Sequence, residues 1–332
     1  MSQIDLKKYI LYTDKDSDSW SFYKRQEACD WSAEEFNFIK EKDEYTKAPE
    51  NIKKLIKGIF GFFLIGDGLI SEDILRFIKE EIDANNWPKV YFLSMQLKVE
   101  NTHAEVYSKA ALTIVPEEEH QEMFDMCQKL ECIKNKGEWI KKYIDSCESK
   151  GLRYLACAVG EGVFFVSLFA VIFYLRKLNM FKNFIESNEQ ISKDESIHRD
   201  EKAFEARRTL KKSEHARAKE IIMEGVKVEK SHAEYLLSRP ILGEQADKDA
   251  GLTLENLSMY IEMLADQVCY LSGLDPIYNS KAELPWMSDI NLSQKTNFYE
   301  RDVVGSYRKF NPASDNNDTG DDILDDPDQE DF

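Results

Sequence analysis

The chain of 332 residues contains few cysteines, and they form no recognisable motif. The six cysteines are scattered, and none of them has the Cys-x-x-Cys spacing, although Cys127 and Cys132 lie close together. This distribution argues against a disulfide framework and indicates reduced thiols in a cytoplasmic protein. We also expect no secretory signal peptide, because Asp5, Lys7 and Lys8 interrupt the amino-terminal segment.

Basic residues are outnumbered by acids, and they are absent after Lys309. The net charge is −18, from 44 lysines and arginines against 62 aspartates and glutamates. Residues 311–332 contain eight aspartates, one glutamate and no base, so they carry −9, which is half of the total. Such an acid excess predicts no nucleic-acid partner, because affinity for phosphate depends on lysine and arginine. It favours cations or basic protein surfaces instead.

Proline is absent between Glu117 and Arg239, and no alternating strand pattern persists along the chain. The proline-free stretch is rich in Leu, Glu, Lys, Ala and Met, which are good helix formers. The sequence therefore predicts an all-α fold. Helices are expected after Pro49, after Pro88 and over residues 117–133, 138–147, 154–176, 178–210, 213–238 and 253–273.

Only one long apolar run occurs, from Tyr154 to Leu175, and Glu161 is its only charged residue. Its length would allow it to cross a bilayer. A carboxylate inside a membrane is costly, however, so the run is better explained as a buried helix of a large bundle. We expect no membrane association.

Glutamate and histidine three positions apart form the clearest chemical motif. These positions share one helix face, so such pairs can bind two metal ions inside a helical bundle. The pattern alone is weak because it occurs four times, as Glu100–His103, Glu117–His120, Glu195–His198 and Glu229–His232.

Two of these pairs follow a carboxylate that stands in an apolar helix. Asp67 precedes Glu100 by 33 positions, and Glu161 precedes Glu195 by 34. A buried carboxylate needs a proton, a partner or a metal. The two similar halves predict a dimetal site of iron or manganese with six ligands, namely Asp67, Glu100, His103, Glu161, Glu195 and His198.

The other two pairs are interpreted as surface histidines beside acids. Glu117–His120 directly follows Pro116 in an acidic helix start. Glu229–His232 would need an acid about 34 positions earlier, and that position is Glu195, which is already used. We therefore exclude both pairs from the predicted metal site.

Aromatic residues share the helix faces of the predicted ligands. Tyr107 lies four positions after His103, and Phe165 and Phe169 lie four and eight positions after Glu161. A tyrosine in an apolar pocket near two metal ions could be oxidised and shielded. On spacing alone, an ordinary core tyrosine remains the simpler interpretation.

Several motifs in one order give the chain a family resemblance from about Trp31 to Phe332. They are Trp31-Ser-Ala-Glu-Glu, Asp67-Gly, Glu100-Asn-Thr-His-Ala-Glu-Val-Tyr107-Ser, Glu161-Gly-Val-Phe-Phe165, Ile191-Ser-Lys-Asp-Glu195-Ser-Ile-His198 and Lys295-Thr-Asn-Phe-Tyr-Glu-Arg301. With these motifs the chain resembles the radical-generating small subunit of class I ribonucleotide reductase, of the eukaryotic and viral kind. The resemblance implies a ferritin-like helical bundle with a diiron centre.

The resemblance also implies a role for each motif residue. Asp67, Glu100 and His103 would hold one iron ion, and Glu161, Glu195 and His198 the other. Tyr107 would carry a stable tyrosyl radical in a pocket lined by Phe165, Phe169 and Ile191. Trp31 and Asp194 would link the metal site to the subunit surface through His103, and Tyr307 would relay the radical onward.

The implied activity is that of a ribonucleoside-diphosphate reductase small subunit. It would form a diiron–tyrosyl radical cofactor with oxygen and pass the radical to a large subunit that reduces ribonucleotides. The chain would divide into an N-terminal segment (1–30), the bundle (31–290) and a C-terminal segment (291–332). The acidic tail, disordered alone, would dock through Phe332 on the large subunit.

Alternatives remain at the sequence level. The chain could be a radical-less scaffold or regulatory small subunit, or a ferritin-like diiron oxidase without a reductase partner. A homodimer is expected, although a heterodimer is an open alternative. The metal could be iron or an iron–manganese mix. Nucleotide preference would belong to the large subunit.

Overall fold

The computed structural model describes residues 18–145 and 149–287, with the backbone but not the side chains of residues 65–73, Cys127 and Asp145. This part of the chain is all-α and contains no strand, as predicted. Its α-helices are α1 Asp18–Glu27, α2 Ile39–Lys47, α3 Glu50–Asp83, α4 Trp87–Ile114, α5 His120–Lys129, α6 Glu131–Ile140, α7 Lys150–Val163, α8 Val166–Tyr174, α9 Lys182–Thr209, α10 His215–Leu236, α11 Glu244–Asp249 and α12 Leu254–Leu271. The predicted tail and Tyr307 lie outside the described residues.

The helix starts agree with the sequence signals. Pro49 caps α3, and Pro88 occupies the first turn of α4, where a missing N–H costs no hydrogen bond. At the start of α7, the Ser149 hydroxyl oxygen accepts a hydrogen bond from the Leu152 N–H at 3.2 Å. This bond satisfies one of the N–H groups that a helix start leaves without a partner.

The apolar run predicted as one helix over 154–176 consists of two helices. Helix α7 ends at Val163, and α8 begins at Val166 after a short turn at Phe164 and Phe165. Lys150–Leu178 is long and apolar enough to cross a membrane, and its most apolar window is entirely buried inside the protein. The run therefore forms core helices of the bundle. After α6, a π-helical segment follows over Lys141–Asp145.

Two helix pairs form the centre of the bundle. Helix α3 packs along α4, and α7 packs along α9, while α4 also contacts α9. Helices α10 and α12 cover α7. The core between them is rich in fully buried aromatic side chains such as Phe60, Phe63 and Tyr107. Burying one large apolar side chain stabilises the fold by about 1.5–3 kcal/mol.

Helix α1 was not predicted, and it packs against α4 and α9. The Phe22 and Phe92 rings meet edge to face, with centroids 5.9 Å apart. This contact places Gln26, at the end of α1, in the protein interior. The amino-terminal helix therefore contributes a polar group to the neighbourhood of α9.

Candidate metal centre

Three helices bring four predicted ligands together. Glu100 comes from α4, Glu161 from α7, and Glu195 and His198 from α9. One ligand atom from each of these four residues lies within 4.8 Å of the others, and all four side chains are buried. The one-turn spacing of Glu195 and His198 directs both side chains to the same point, as expected for a Glu-x-x-His pair.

His103 also belongs to this cluster. Its Nδ1 lies 3.1 Å from Glu195 Oε1 and 3.4 Å from Glu100 Oε2. His198 Nδ1 lies 3.0 Å from Glu100 Oε1 and 3.3 Å from Glu195 Oε2. Two imidazoles therefore flank two carboxylates in the interior of the bundle.

Burial and neighbouring charge control the ionisation of the cluster. Burial, together with the charges of Glu195 and Glu100, raises the pKa of Glu161 well above its usual range. Burial disfavours a charged His198, but the charge of Glu100 and hydrogen bonds to Glu100 and Glu195 raise its pKa to about 9. A bound cation would replace the protons that these groups otherwise retain.

The donor atoms fit a transition metal. Glu161 Oε2 and His103 Nδ1 are buried and have no hydrogen-bond partner of suitable geometry. Buried polar atoms without a partner are rare in proteins, and a metal ion would satisfy both. Carboxylate oxygens with imidazole nitrogens suit iron or manganese. The residues present therefore fit the metals that the sequence predicts.

Asp194 connects the cluster with Trp31. The indole Nε1 of Trp31 donates a hydrogen bond to Asp194 Oδ2 at 2.7 Å, and His103 Nε2 lies 3.1 Å from the same oxygen. Gln26 Nε2 donates to Asp194 Oδ1 at 2.7 Å. A carboxylate bonded to the second nitrogen of a histidine fixes the ring and leaves the first nitrogen for a metal. Gln26 was missed because α1 itself was not predicted.

Gln96 and Lys202 are polar neighbours that the motif search also missed. Gln96 Nε2 donates a hydrogen bond to Glu161 Oε1 at 2.9 Å, and Lys202 Nζ donates to Gln96 Oε1 at 2.7 Å. Gln96 lies four positions before Glu100, and Lys202 lies four positions after His198. Their polar type on the ligand-bearing helix faces was the signal that could have identified them.

Tyr107 lies in an aromatic pocket and is fully buried. Its ring stacks on Phe63 with centroids 3.9 Å apart and an angle of 9°. Phe63 also lies 6.0 Å from Phe165 and 6.3 Å from Phe169, centroid to centroid. The Tyr107 hydroxyl donates a hydrogen bond to Asn188 Oδ1 at 2.8 Å. Phe63 and Asn188 were not singled out by the sequence.

The structure gives less information on the remaining predicted site residues. Ile191 is buried on α9, one turn after Asn188. Asp67 lies in α3, but its side chain is outside the described set. Tyr307 falls outside the described residues altogether. The metal-binding and catalytic roles of the predicted residues stay predictions.

The surface interpretation of Glu229–His232 was wrong. Both side chains are 0% exposed, in α10. Glu229 Oε2 forms an ion pair with Lys136 Nζ at 2.6 Å, and Ser167 donates from its backbone N–H to Glu229 Oε1 at 2.9 Å. Val226, one turn earlier on the same helix, is also buried. By contrast, Glu117 of the Glu117–His120 pair is exposed, as predicted.

The fold and the cluster together define a class of protein. Carboxylates and histidines that project inward from facing helices are typical of helical bundles with a dimetal-carboxylate centre. Two solved structures share the fold of this chain. One is a putative class I ribonucleotide reductase from Bacillus halodurans, with a TM-score of 0.71 and 19% identity over 82% of this chain and 99% of the other. Another is the Rnr4 homodimer from Saccharomyces cerevisiae, with a TM-score of 0.66 and 24% identity over 86% and 88% of the two chains.

Sequence comparison identifies the family. The family model described as "Ribonucleotide reductase, small chain" matches residues 9–285. A ribonucleoside-diphosphate reductase small chain from Yaba-like disease virus is 31% identical over 94% of this chain and 94% of its own length. The chain therefore belongs to the ribonucleotide reductase small-chain family. The resemblance predicted from its motifs is confirmed.

Proposed function

We propose that the chain is the radical-generating small subunit of a ribonucleoside-diphosphate reductase. It would form a tyrosyl radical at Tyr107 and pass the oxidation to a large subunit that reduces ribonucleotides to deoxyribonucleotides. One observation carries this proposal: the buried carboxylate–histidine cluster shares helix α4 with a fully buried Tyr107. In a member of this family, that combination supports a radical-forming subunit rather than a scaffold.

The metal ligands would divide between two ions. Asp67, Glu100 and His103 would hold one, and Glu161, Glu195 and His198 the other. Two bound iron ions would enable dioxygen to oxidise a tyrosine side chain. Manganese is an alternative for one of the two ions. The bonds from Asp194 to His103 and from Gln96 to Glu161 orient two of these ligands before a metal arrives.

The aromatic pocket would protect Tyr107. Phe63 covers one face of the Tyr107 ring, and Phe165 and Phe169 extend the apolar wall. These side chains exclude water and small reductants from the phenol. Asn188 holds the hydroxyl by its hydrogen bond and so limits the orientations that the ring can take.

A hydrogen-bonded chain leads away from the cluster. It runs from His103 through Asp194 to Trp31, which is 8% exposed. Indole and phenol side chains are oxidisable, so Trp31 and Tyr307 are the residues that would relay an oxidising equivalent toward the partner. Gln26 fixes the second oxygen of Asp194 and so keeps this chain aligned.

The proposed partner is the reductase large subunit. The acidic tail ending in Phe332 would supply an apolar anchor and negative charges that steer it to a basic groove. We propose a homodimer of small subunits, since one structural relative is described as a homodimer. Cys29, Cys132 and Cys269 are free thiols, which supports the proposed cytoplasmic location.

Electron paramagnetic resonance of the iron-loaded, oxygen-exposed full chain tests the proposal. We expect a tyrosyl signal that disappears in Tyr107→Phe. Tyr45→Phe is a matched control, because Tyr45 is also fully buried and donates its hydroxyl hydrogen bond to Glu119. An absent signal, or a signal that survives Tyr107→Phe, would overturn the proposal. Substoichiometric iron in the same samples would favour the scaffold alternative.

A further inference from the structure

A small apolar cavity lies beside the metal centre. Its volume is about 10 Å³. That is close to the space occupied by one water or one diatomic molecule. Ile74 and Phe77 of α3 form one wall, and Ile140 and Ile144, at the junction of α6 and the π-helical segment, form another. A π-helical turn of this kind often marks a functional site.

Helix α7 connects the cavity to the metal cluster. Cys157, Gly160 and Glu161 lie on one face of α7 and line the cavity. A Cβ atom built on Gly160 would meet no atom of the described residues within 4 Å, so the absence of a side chain there keeps the space open. The same Glu161 contributes a ligand atom to the carboxylate–histidine cluster. Glu161 therefore belongs both to the wall of the cavity and to the carboxylate–histidine cluster.

The described residues offer a water molecule few partners in this cavity. Among the described lining residues, only Glu161 and Lys202 carry charged groups. Lys202 Nζ already donates to Gln96 Oε1 at 2.7 Å and to Glu201 Oε2 at 2.8 Å, and Glu161 Oε1 accepts from Gln96. The other carboxylate oxygen, Glu161 Oε2, has no hydrogen-bond partner among the described residues and is the atom that the proposed metal would take. A buried water needs two to four polar partners, whereas apolar cavities stay dry and take up xenon or other small apolar molecules.

We propose that this cavity is a binding site for dioxygen, the last position that the gas occupies before it reaches the metal centre past Glu161. The inference rests on the proposed function, because that function requires dioxygen to reach buried metal ions. It assigns to Gly160 the role of keeping the site open. The ligand class is a small, apolar, uncharged molecule, which the aliphatic and aromatic walls accommodate by dispersion contacts.

Xenon is the probe for the site itself. Crystals of the metal-free full chain, pressurised with xenon, should show an anomalous peak between Ile74, Ile144 and Gly160. Gly160→Ala should abolish the peak, because its methyl group occupies the cavity, while helix α7 gains a better helix former. Ile144→Val should keep or strengthen the peak, with Ile261→Val, another fully buried isoleucine, as the matched control. A water in place of xenon in the wild-type crystal would overturn the proposal.

Oxygen kinetics test the role of the site. In iron(II)-loaded protein, the second-order rate constant for dioxygen should fall by about tenfold in Gly160→Ala, with iron content unchanged. An unchanged rate constant, together with loss of the xenon peak, would overturn the proposal while leaving the proposed function intact. If the wild-type protein did not react with dioxygen, the proposed function would fail, and a xenon peak would then report only an apolar cavity without this role.

Discussion

The Tyr107 hydroxyl donates its hydrogen bond to the side chain of Asn188, and the two residues lie on α4 and α9, the helices that carry both predicted Glu-x-x-His pairs. The same two helix faces also carry Gln96 and Lys202. Asn188 in turn donates from Nδ2 to the Phe184 carbonyl oxygen at 2.8 Å. The amide therefore fixes the distance between the buried phenol and the backbone of α9.

Asn188→Leu should lower the free energy of unfolding of the metal-free protein by about 1 kcal/mol, the usual net value of one hydrogen bond. The substitution keeps a similar volume but removes the acceptor for Tyr107. Urea denaturation measures the change. In a Tyr107→Phe background the same substitution should cost less, because the bond is already absent. Equal costs in both backgrounds would show that the hydrogen bond contributes nothing.

Trp31→Phe should spare the metal and the radical but reduce nucleotide reduction by about 100-fold or more. The variant keeps an aromatic ring but loses the indole donor to Asp194. Iron content, the radical signal and turnover with the large subunit would be measured on one preparation. Trp286→Phe is the matched control, because Trp286 Nε1 also donates a buried hydrogen bond, to the Ala170 carbonyl oxygen at 2.8 Å. Normal turnover in Trp31→Phe would exclude the proposed relay.

Two of the buried Glu-x-x-His pairs, Glu195–His198 and Glu229–His232, should respond differently to the same substitution. His198→Phe removes a predicted ligand and should lower iron content by about half or more. His232→Phe should leave it unchanged, because Lys136 already balances the charge of Glu229. The number of iron ions per chain, measured after reconstitution and desalting, distinguishes the two variants. Equal loss in both variants would mean that the assignment of the metal site to α9 is wrong.

The stability of the protein should depend on pH through His232. Burial, followed by the charge of Lys136, lowers the pKa of His232 well below 6.5. Below pH 6.5 the unfolded chain therefore binds a proton at this position that the native protein does not, so stability decreases as pH falls. Relative to His232→Phe, the wild type should lose up to about 1.4 kcal/mol per pH unit in this range.

Urea denaturation of both proteins at several pH values between about 5 and 7 provides this measurement. Lys136 and Glu229 face the same interior region and are present in both proteins, so the difference isolates His232. Parallel pH profiles would contradict the prediction. Metal-free protein is required, because metal binding has its own pH dependence.

Deletion of residues 326–332 should abolish binding to the large subunit and leave the iron content and radical signal intact. Phe332→Ala alone should weaken binding by about 10- to 100-fold, the effect of one buried aromatic side chain. Surface plasmon resonance with the large subunit measures both. Unchanged binding after the deletion would favour a ferritin-like oxidase that has no reductase partner.

Much of the fold follows from local sequence signals. Proline placement and the helix-forming stretch predicted the all-α fold and the approximate position of most helices. The turn at Phe164 and Phe165 was missed, because no glycine or proline lies at the break itself and both flanking segments are apolar. Helix α1 was missed because it gives only a weak apolar pattern. Asp18–Glu27 is largely polar, and only a few of its side chains, such as Phe22, are buried.

The candidate site was predictable where the spacing of residues was informative. Glu100, Glu195 and His198 follow from one-turn spacing, and Glu161 follows from its apolar surroundings. Hydrogen bonds between distant helices have no such local signal, so Gln26 and Asn188 emerged only from the packing. Glu229 was misplaced because its partner, Lys136, lies on another helix and 93 positions away.

The ion pair between Lys136 and Glu229 shows a second way to give a buried Glu-x-x-His carboxylate a positively charged partner. One pair carries its own counterion as part of the polypeptide, so no chelator can remove it and no supply from outside is needed. In the proposed function, the Glu100–His103 and Glu195–His198 pairs would instead depend on metal ions that the cell must deliver. On this proposal, the subunit would fold around the Glu229–His232 pair under metal starvation, while its chemistry would remain subject to the metal status of the cell.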